Sequence, residues 1–497
     1  MLLSMHEEVD GLDRAGRMKL GLNIVANGAH AAGWRMPGAQ ADAALDFALW
    51  KRIAQAAERA CVHFMFWADG IAVRHSARDD DELSYNARID VFEPLTVIGA
   101  LAAVTERLGF VASASTTYNE PYHVARKFAS LDHISGGRVG WNVVTSWSEQ
   151  EAYNFGREAH MEHGLRYRRA EEFVDVVFGL WDGWDDGAFI RDKASGRYFD
   201  PARMRNLNHR GEVFAVKGPL NVARPIQGYP VIAQAGSSGP GQGLGARIAD
   251  IIYTAQNDRA HAIAFYASVK AHGVAAGRAP GAMLVMPGVL PVLGRSRAEA
   301  EDVYAQMQDL VHPRLGLPML AGSFGDLSGM DLDGPLPAPL AAVNAVTSGH
   351  EMLVRVAREP GMTIRKLYQM MAGASGHKII VGTVSDVADF MEDWFVAGAC
   401  DGFNLIPPFL PGPAFETLEW LVPELQRRGL AQTGYQGDGT FRGSMGLARP
   451  RPGERRKLGF FFEKKNQKTL IHLLMDEVFL LLFVHKKKIL SCVLVVD

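Results

Sequence analysis

Short apolar runs rich in β-branched and aromatic residues alternate along the chain with longer stretches whose apolar positions recur at helical spacing. Met18–Asn27 (MKLGLNIVAN) reads as a first strand, and Asp42–Arg59 as a helix with Asp42 as its N-cap. His63–Asp69 (HFMFWAD) is a second strand. Pro94–Leu108 is a second helix, with proline suited to its first turn. Phe110–Thr116 and Arg138–Ser146 are the third and fourth strands, with helices at Pro121–Ile134 and from about Glu162 to Trp181. Val231–Ala235, Ile251–Ala255 and Met283–Leu293 continue the series, the last followed by a helix from about Ser296. Further helices are expected at Glu351–Glu359 and Ser385–Ala397, with a segment of unassigned type at Ile364–Met371 and a short apolar run at Ile379–Val381. Asp401–Pro407 (DGFNLIP) is the eighth strand.

Eight strands alternating with helices predict an α/β protein whose parallel sheet closes into a (β/α)₈ TIM barrel. An open doubly wound sheet is the alternative, but no internal duplication into halves is visible. The expected organisation is a lead-in over residues 1–17, a barrel over 18–452 and an anomalous C-terminal tail over 453–497. Two insertions interrupt the barrel. One, at about 182–225, is dense in Gly, Asp, Arg and aromatic residues and reads as short hairpins. The other, at about 311–346, is rich in Gly, Pro and Leu.

Composition narrows the picture. Of 497 residues, 48% are hydrophobic and 22% charged, with a formal net charge of −3, so no basic field exists to hold a nucleic-acid backbone. The three cysteines, Cys61, Cys400 and Cys492, have no metal-ligand or CxxC spacing, so a reducing, cytoplasmic setting without a metal site is expected. The start carries Glu7, Glu8, Asp10 and Asp13 and lacks the basic n-region of a signal peptide. From Lys457 the composition changes abruptly to Lys/Phe/Leu/Val. Its runs Val478–Val484 and Ile489–Val496 are each shorter than the about 20 apolar residues a membrane span needs. The break reads as translational or gene-model read-through, with a membrane-surface anchor as the alternative.

In a barrel, chemistry belongs at the strand C-terminal ends. The first such loop, Asn27–Gly38, holds His30. Asp69 follows strand two and either caps the next helix or accepts from a cofactor ring N–H. Strand three ends Ser115-Thr116-Thr117; β-propensity explains the threonines but not the serines. Asn142 lies in an apolar run, where its amide needs a partner, either structural or ligand. His163 and Tyr167 form an i,i+4 pair that serves packing or a ligand. After strand five, Gln234–Gly245 contains the run Gly236-Ser237-Ser238-Gly239. Such a loop before a helix is either an anion site or a flexible turn, and it is neither a Walker loop nor a GxGxxG fingerprint. His377, in Gly376-His377-Lys378, is either a substrate-positioning group or a surface residue.

The order LDHISGGRVGWNVVTS, EAYNFG, HGLRYRRAEEF, PVIAQAGSSGPGQ and IIVGT resembles the luciferase-like flavin monooxygenases, in the branch holding nitrilotriacetate, EDTA and dibenzothiophene-sulfone monooxygenases. The resemblance runs from about Met18 to Pro450. It implies a barrel binding FMN at the strand C-terminal mouth. It also implies reduced FMN delivered by a separate NAD(P)H:FMN reductase, and insertion of one oxygen atom from O₂ into a small organic substrate through a flavin hydroperoxide. By position it implies that Asp69 and Thr116 contact the isoalloxazine ring and that Asn142 lines its edge. His163 and Tyr167 would reach the ribityl–phosphate region, and Ser237 and Ser238 would bind the phosphate. His30 and His377 are candidates for substrate positioning, and a homo-oligomer is expected. A deazaflavin-dependent oxidoreductase of the same superfamily, or a flavin-binding barrel without catalysis, are the alternatives.

Overall fold

The computed structural model describes residues 16–73, 80–146, 148–236, 239–340, 353–374 and 376–454. Parallel strands β1 (Lys19–Ile24), β2 (Phe64–Trp67), β3 (Gly109–Ser115), β4 (Val139–Val144), β5 (Val231–Gln234), β6 (Ile251–Thr254) and β7 (Leu284–Leu293) follow one another around a ring. β8 (Lys378–Gly382) and β9 (Gly402–Leu405) complete the sheet. β9 pairs with both β7 and β1, and β6 pairs with β7, so eight strands close a (β/α)₈ barrel. The chain's longest strand explains the ninth. β7 pairs through Leu284–Pro287 with β6 and through Val289–Leu293 with β8. Val289 also pairs with Leu405 on its other side, so β8 takes over the lane that β6 leaves at Thr254. The expected apolar run Ile379–Val381 is thus a strand, stacked end to end above β6.

Helices α1 (Phe47–Arg59), α2 (Pro94–Ala102), α3 (Pro121–Ile134), α4 (His163–Trp181), α5 (Gly239–Ile248), α6 (Arg259–Ala275) and α7 (Arg297–Asp309) lie between the strands. Two start and stop differently from the sequence pattern. Residues Ala43–Leu45 form a 3₁₀ turn, and the α1 cap is Asp46, whose carboxylate accepts from Leu49 N at 3.1 Å. α2 ends at Ala102, six residues early. The Glu58 carboxylate accepts the N–H groups of Glu106, Arg107 and Leu108 at 2.6–3.0 Å, satisfying amides that a longer helix would have used. Arg138 closes the same corner from the other side. Buried, it donates to the carbonyls of Ala102, Thr105 and Leu108, which the helix end leaves open.

The barrel floor is sealed by Phe441, on a short helix Phe441–Ser444. It packs on Phe64 at 5.3 Å between ring centroids and fills the space left by Gly109 and Gly140. Phe66, Val111, Val231, Tyr253 and Met286 form the next interior layer. Between β4 and β5, the chain makes a two-stranded hairpin, His209–Arg210 against Ala215–Val216. After α7, helix α8 (Pro313–Phe324) packs against α9 (Ile364–Ala374) in a second apolar cluster with Leu315, Leu320, Leu367 and Tyr368. Ala31 and Ala32 of the first strand-end loop join it, and Ala31 N donates to Ala372 O. This cluster roofs the arc of the mouth formed by β1, β7 and β9. The arc from β2 to β5 stays open. Helix α10 (Val384–Val396), with a Thr383/Asp386 capping box, returns the chain to β9. Among the described residues, no helix is long and apolar enough to cross a membrane. Residues 1–15 of the lead-in and 455–497 of the tail lie outside the described residues.

Candidate active site

A cleft of about 220 Å³ lies at the C-terminal ends of β2, β3, β4 and β5, lined by Asp69, Ser113, Ser115, Ser146, Tyr167, Gln234 and Gly236 among others. Alternation along β3 and β4 places Ser113 and Asn142 side by side. Asn142 Nδ2 donates to Ser113 Oγ at 2.8 Å, and Ser113 Oγ donates to Trp67 O at 2.8 Å. Asn142 Oδ1 is buried with no protein partner. Glu151 adds a second such atom. Its Oε1 accepts from Ile71 N at 3.3 Å, while Oε2 is buried and unpaired. Buried polar atoms normally find a partner, so these two mark where a polar ligand edge fits.

The cleft continues to the β5–α5 loop, where two backbone segments touch. A Cβ at Gly236 would sit 2.9 Å from Gly241 Cα, and one at Gly241 would sit 2.9 Å from Tyr167 Oη. Only glycine permits this closeness. It brings the start of α5 and the Tyr167 hydroxyl to one point, the arrangement of a backbone anion cradle. Over the β3–β4 ends, Tyr118 Oη and His160 Nδ1 are 2.7 Å apart, and Phe155 stacks on Tyr118 at 5.0 Å. Burial, with the nearby Arg166 cation, lowers the His160 pKa, which keeps the imidazole neutral. A larger depression of about 400 Å³ is built instead from insertion residues such as Pro313, Arg314 and Met330 and receives no strand end.

The expected site residues separate. Asp69 and Tyr167 line the cleft, and Asn142 sits behind it, bonded to the cleft-lining Ser113. Thr116 is fully buried, and its Oγ1 donates to Val144 O at 3.2 Å, tying β3 to β4 beside the cleft rather than lining it. His163 is exposed on α4 with its ring 4.9 Å from Tyr167. Ser237 and Ser238 lie outside the described residues. His30 and His377 sit on the opposite, roofed arc. His30 Nδ1 accepts from Ala32 N at 3.3 Å, and its Nε2 pairs with Gln308 Oε1 at 2.9 Å, so both nitrogens are used. His377 Nε2 meets Tyr253 Oη at 3.0 Å. Ser113, Ser115, Ser146, Glu151 and Gln234 were not singled out by sequence. The serines of β3 were the available signal, since strand propensity does not account for them.

A family profile described as Luciferase-like monooxygenase matches residues 28–399. The chain belongs to the luciferase-like monooxygenases. It is 47% identical over 442 residues to nitrilotriacetate monooxygenase component A of Aminobacter aminovorans, covering 88% of this chain and 97% of that protein. It is 46% identical over 437 residues to N-acetyl-S-(2-succino)cysteine monooxygenase of Bacillus subtilis (strain 168), covering 87% and 97%. Among solved structures, DmoA from Hyphomicrobium sulfonivorans superposes with a TM-score of 0.80 at 30% identity, covering 90% of this chain and 96% of that one. As a luciferase-like monooxygenase, the chain is an enzyme whose family uses reduced flavin. The cleft suits such a group. Its wall offers the buried, unpaired Glu151 Oε2 to a ring N–H, and at its far end Gly236 and Gly241 bring the β5–α5 loop against the Tyr167 hydroxyl.

Proposed function

We propose that this chain is the oxygenase component of a two-component system. It takes reduced FMN from a separate NAD(P)H:FMN reductase and uses O₂ to add one oxygen atom to a small organic substrate. The observation that carries this reading is a cleft whose lining residues Glu151 and Gln234 each keep a buried, unpaired oxygen, and which ends at the Gly236–Gly241 contact and the start of α5, with the unpaired Asn142 amide oxygen behind it. The relative named as component A of a monooxygenase supports the division of labour.

Asp69 and Asn142 hold the ring edge in this reading. Tyr167, Ser237, Ser238 and the α5 N-terminus hold the phosphate, where backbone N–H groups and the helix dipole favour an anion. Reduced flavin, when bound, supplies the electrons that activate dioxygen. The chain's own residues do the rest. Ser113 fixes the Asn142 amide, whose oxygen stays unpaired behind the cleft. Thr116 holds β3 against β4 through the Val144 carbonyl and so keeps Ser115 in place. The apolar floor of Phe66 and Tyr253 and the roof of α8 and α9 exclude water from the barrel interior.

The test combines binding with turnover. Protein is titrated with FMN, riboflavin and a deazaflavin by fluorescence quenching. It is then mixed with photoreduced FMN and O₂ in the presence of nitrilotriacetate or N-acetyl-S-(2-succino)cysteine. Preference for FMN, with oxygen consumption coupled to a product containing one atom of ¹⁸O, is expected. Preference for the deazaflavin, or FMN binding without oxygen transfer to any compound of a broad panel, would overturn it.

A further inference from the structure

The roofed arc of the barrel holds a polar chain that the flavin cleft does not use. Asn23 of β1 donates through Nδ2 to Tyr253 Oη of β6 at 2.6 Å, and Tyr253 Oη is 3.0 Å from His377 Nε2. The Tyr253 and His377 rings stack at 5.1 Å and 22°. His377 reaches the interior for three reasons. β8 continues the lane of β6, so its first turn starts at the barrel mouth. Asn257 Nδ2 donates to Gly376 O at 2.7 Å and pins that turn. Gly288 of β7 leaves a notch into which the ring fits, since a Cβ there would lie 2.5 Å from His377 Nδ1.

Hydrogen counting then fixes the tautomer. A tyrosine hydroxyl has one proton to give. Asn23 Nδ2 can only donate, so the arrangement that pairs the Tyr253 proton within this chain sends it to His377 Nε2 and leaves the neutral imidazole's own proton on Nδ1. That Nδ1 is buried and has no protein partner, and so is Asn23 Oδ1 at the other end of the chain. His30, by contrast, has both nitrogens occupied within the protein. Burial drives the His377 pKa down to about 4, which keeps the ring neutral near pH 7.

We propose that His377, locked by Tyr253 as its Nδ1–H tautomer, is the substrate-orienting donor of this oxygenase. Its N–H binds a hydrogen-bond-accepting oxygen of the substrate, such as a carboxylate or sulfone oxygen, on the arc facing the flavin cleft. Asn23 and Tyr253 are positioning residues that act through it. The role as substrate donor rests on the oxygenase reading above; the tautomer does not.

The experiment uses full-length protein with ¹⁵N-labelled histidine, in which two-bond ¹H–¹⁵N spectra distinguish the tautomers. The His377 signal is assigned by its loss in His377→Gln. Nδ1–H is expected in the wild type and a mixture in Tyr253→Phe. Wild-type Nε2–H would overturn the proposal whether or not FMN binds. Kinetics with reduced FMN use whichever of nitrilotriacetate, N-acetyl-S-(2-succino)cysteine, dibenzothiophene sulfone or EDTA is turned over. Asparagine places an N–H where Nδ1 stood, whereas glutamine reaches Tyr253 but leaves that place empty. His377→Asn should therefore stay within about threefold of wild type in KM, and His377→Gln should raise KM roughly tenfold or more with kcat changed far less. FMN affinity should be unchanged in both. A purely structural histidine would rank these variants the other way, and that order would overturn the assignment. If none of the four is turned over, the tautomer decides alone: Nδ1–H upholds the proposed lock and Nε2–H defeats it. Failure of wild type to bind FMN counts against the oxygenase reading and leaves the tautomer result intact.

Discussion

Asn142 and Ser113 hold each other across the β3–β4 pair through a 2.8 Å hydrogen bond, with the second Asn142 amide atom buried and unpaired among the described residues. Removing the amide takes away the only acceptor we assign to the ring edge on β4. Asn142→Ala should weaken FMN binding by about 1–2 kcal/mol, roughly 5- to 30-fold, the cost of losing a buried hydrogen bond. Fluorescence titration reads this directly. An unchanged affinity would remove Asn142 from the flavin site.

Gly241 lies where the β5–α5 loop meets Tyr167, the end of the cleft proposed above for the phosphate. An added Cβ would lie 2.9 Å from Tyr167 Oη and 3.0 Å from Gly236 Cα, and backbone cannot yield as a flexible side chain would. Gly241→Ala should lower FMN affinity about tenfold or more while leaving riboflavin affinity, which lacks the phosphate term, nearly unchanged. Calorimetry with both ligands is the check. An equal loss for the two would show that the loop is not a phosphate cradle.

The barrel floor depends on an ion pair. Arg442 Nη2 meets Asp250 Oδ2 at 2.7 Å, with side chains 3% and 1% exposed, and Arg442 also donates to the carbonyls of Tyr229 and Pro230. Arg442→Met removes the nearer of two buried arginines from Asp250, which keeps Arg278 at 3.6 Å and Ile232 N at 2.9 Å, and should destabilise the fold by about 1.5–3 kcal/mol, the worth of hydrogen bonds to a charged group. The change lies at the end of the barrel opposite the cleft. A large drop in melting temperature with flavin affinity retained is therefore expected, and a stability near wild type would contradict this role.

Acid should weaken the protein through its buried histidines. Burial holds His30 and His377 down at about 4, against about 6.5 in an unfolded chain. Between those values the unfolded chain binds more protons than the folded one, so stability is present above pH 6.5 and is lost as pH falls toward 4. Asp132 works in the opposite direction. Burial raises it to about 6, so its ionisation penalises the fold as pH rises from about 4 to 6. In His30→Gln, whose amide can still donate to Gln308, the fall in melting temperature between pH 7 and pH 5 should be shallower than in wild type. Parallel curves would mean that His30 is not kept neutral by burial.

The Leu131–Ser146 block shows what a motif does and does not say. It was legible as a signature, yet most of it is scaffold. Asp132 accepts from Gln227, Arg138 closes the end of α2, and the Trp141 indole donates to Ala114 O. Within it, Asn142 alone combines burial with an unpaired side-chain atom, next to the cleft-lining Ser113. Thr116 was expected at the isoalloxazine ring by resemblance, and its hydroxyl donates to the Val144 carbonyl beside the cleft. Such pairing depends on strand register, which single residues do not encode.

Local chemistry was enough for the strand–helix alternation, the proline at the start of α2 and the glycine loop after β5, because each depends on residues close in the chain. Distant partners decided the rest. Glu58 ended α2 by capturing amides 48–50 residues away. The length of β7 turned a short apolar run into β8 and so carried His377 to the barrel mouth. Tyr253, 124 residues from His377, set which of its nitrogens holds the proton. A side chain's role depends on which of its polar atoms the fold leaves unpaired, and that is decided only when the barrel closes.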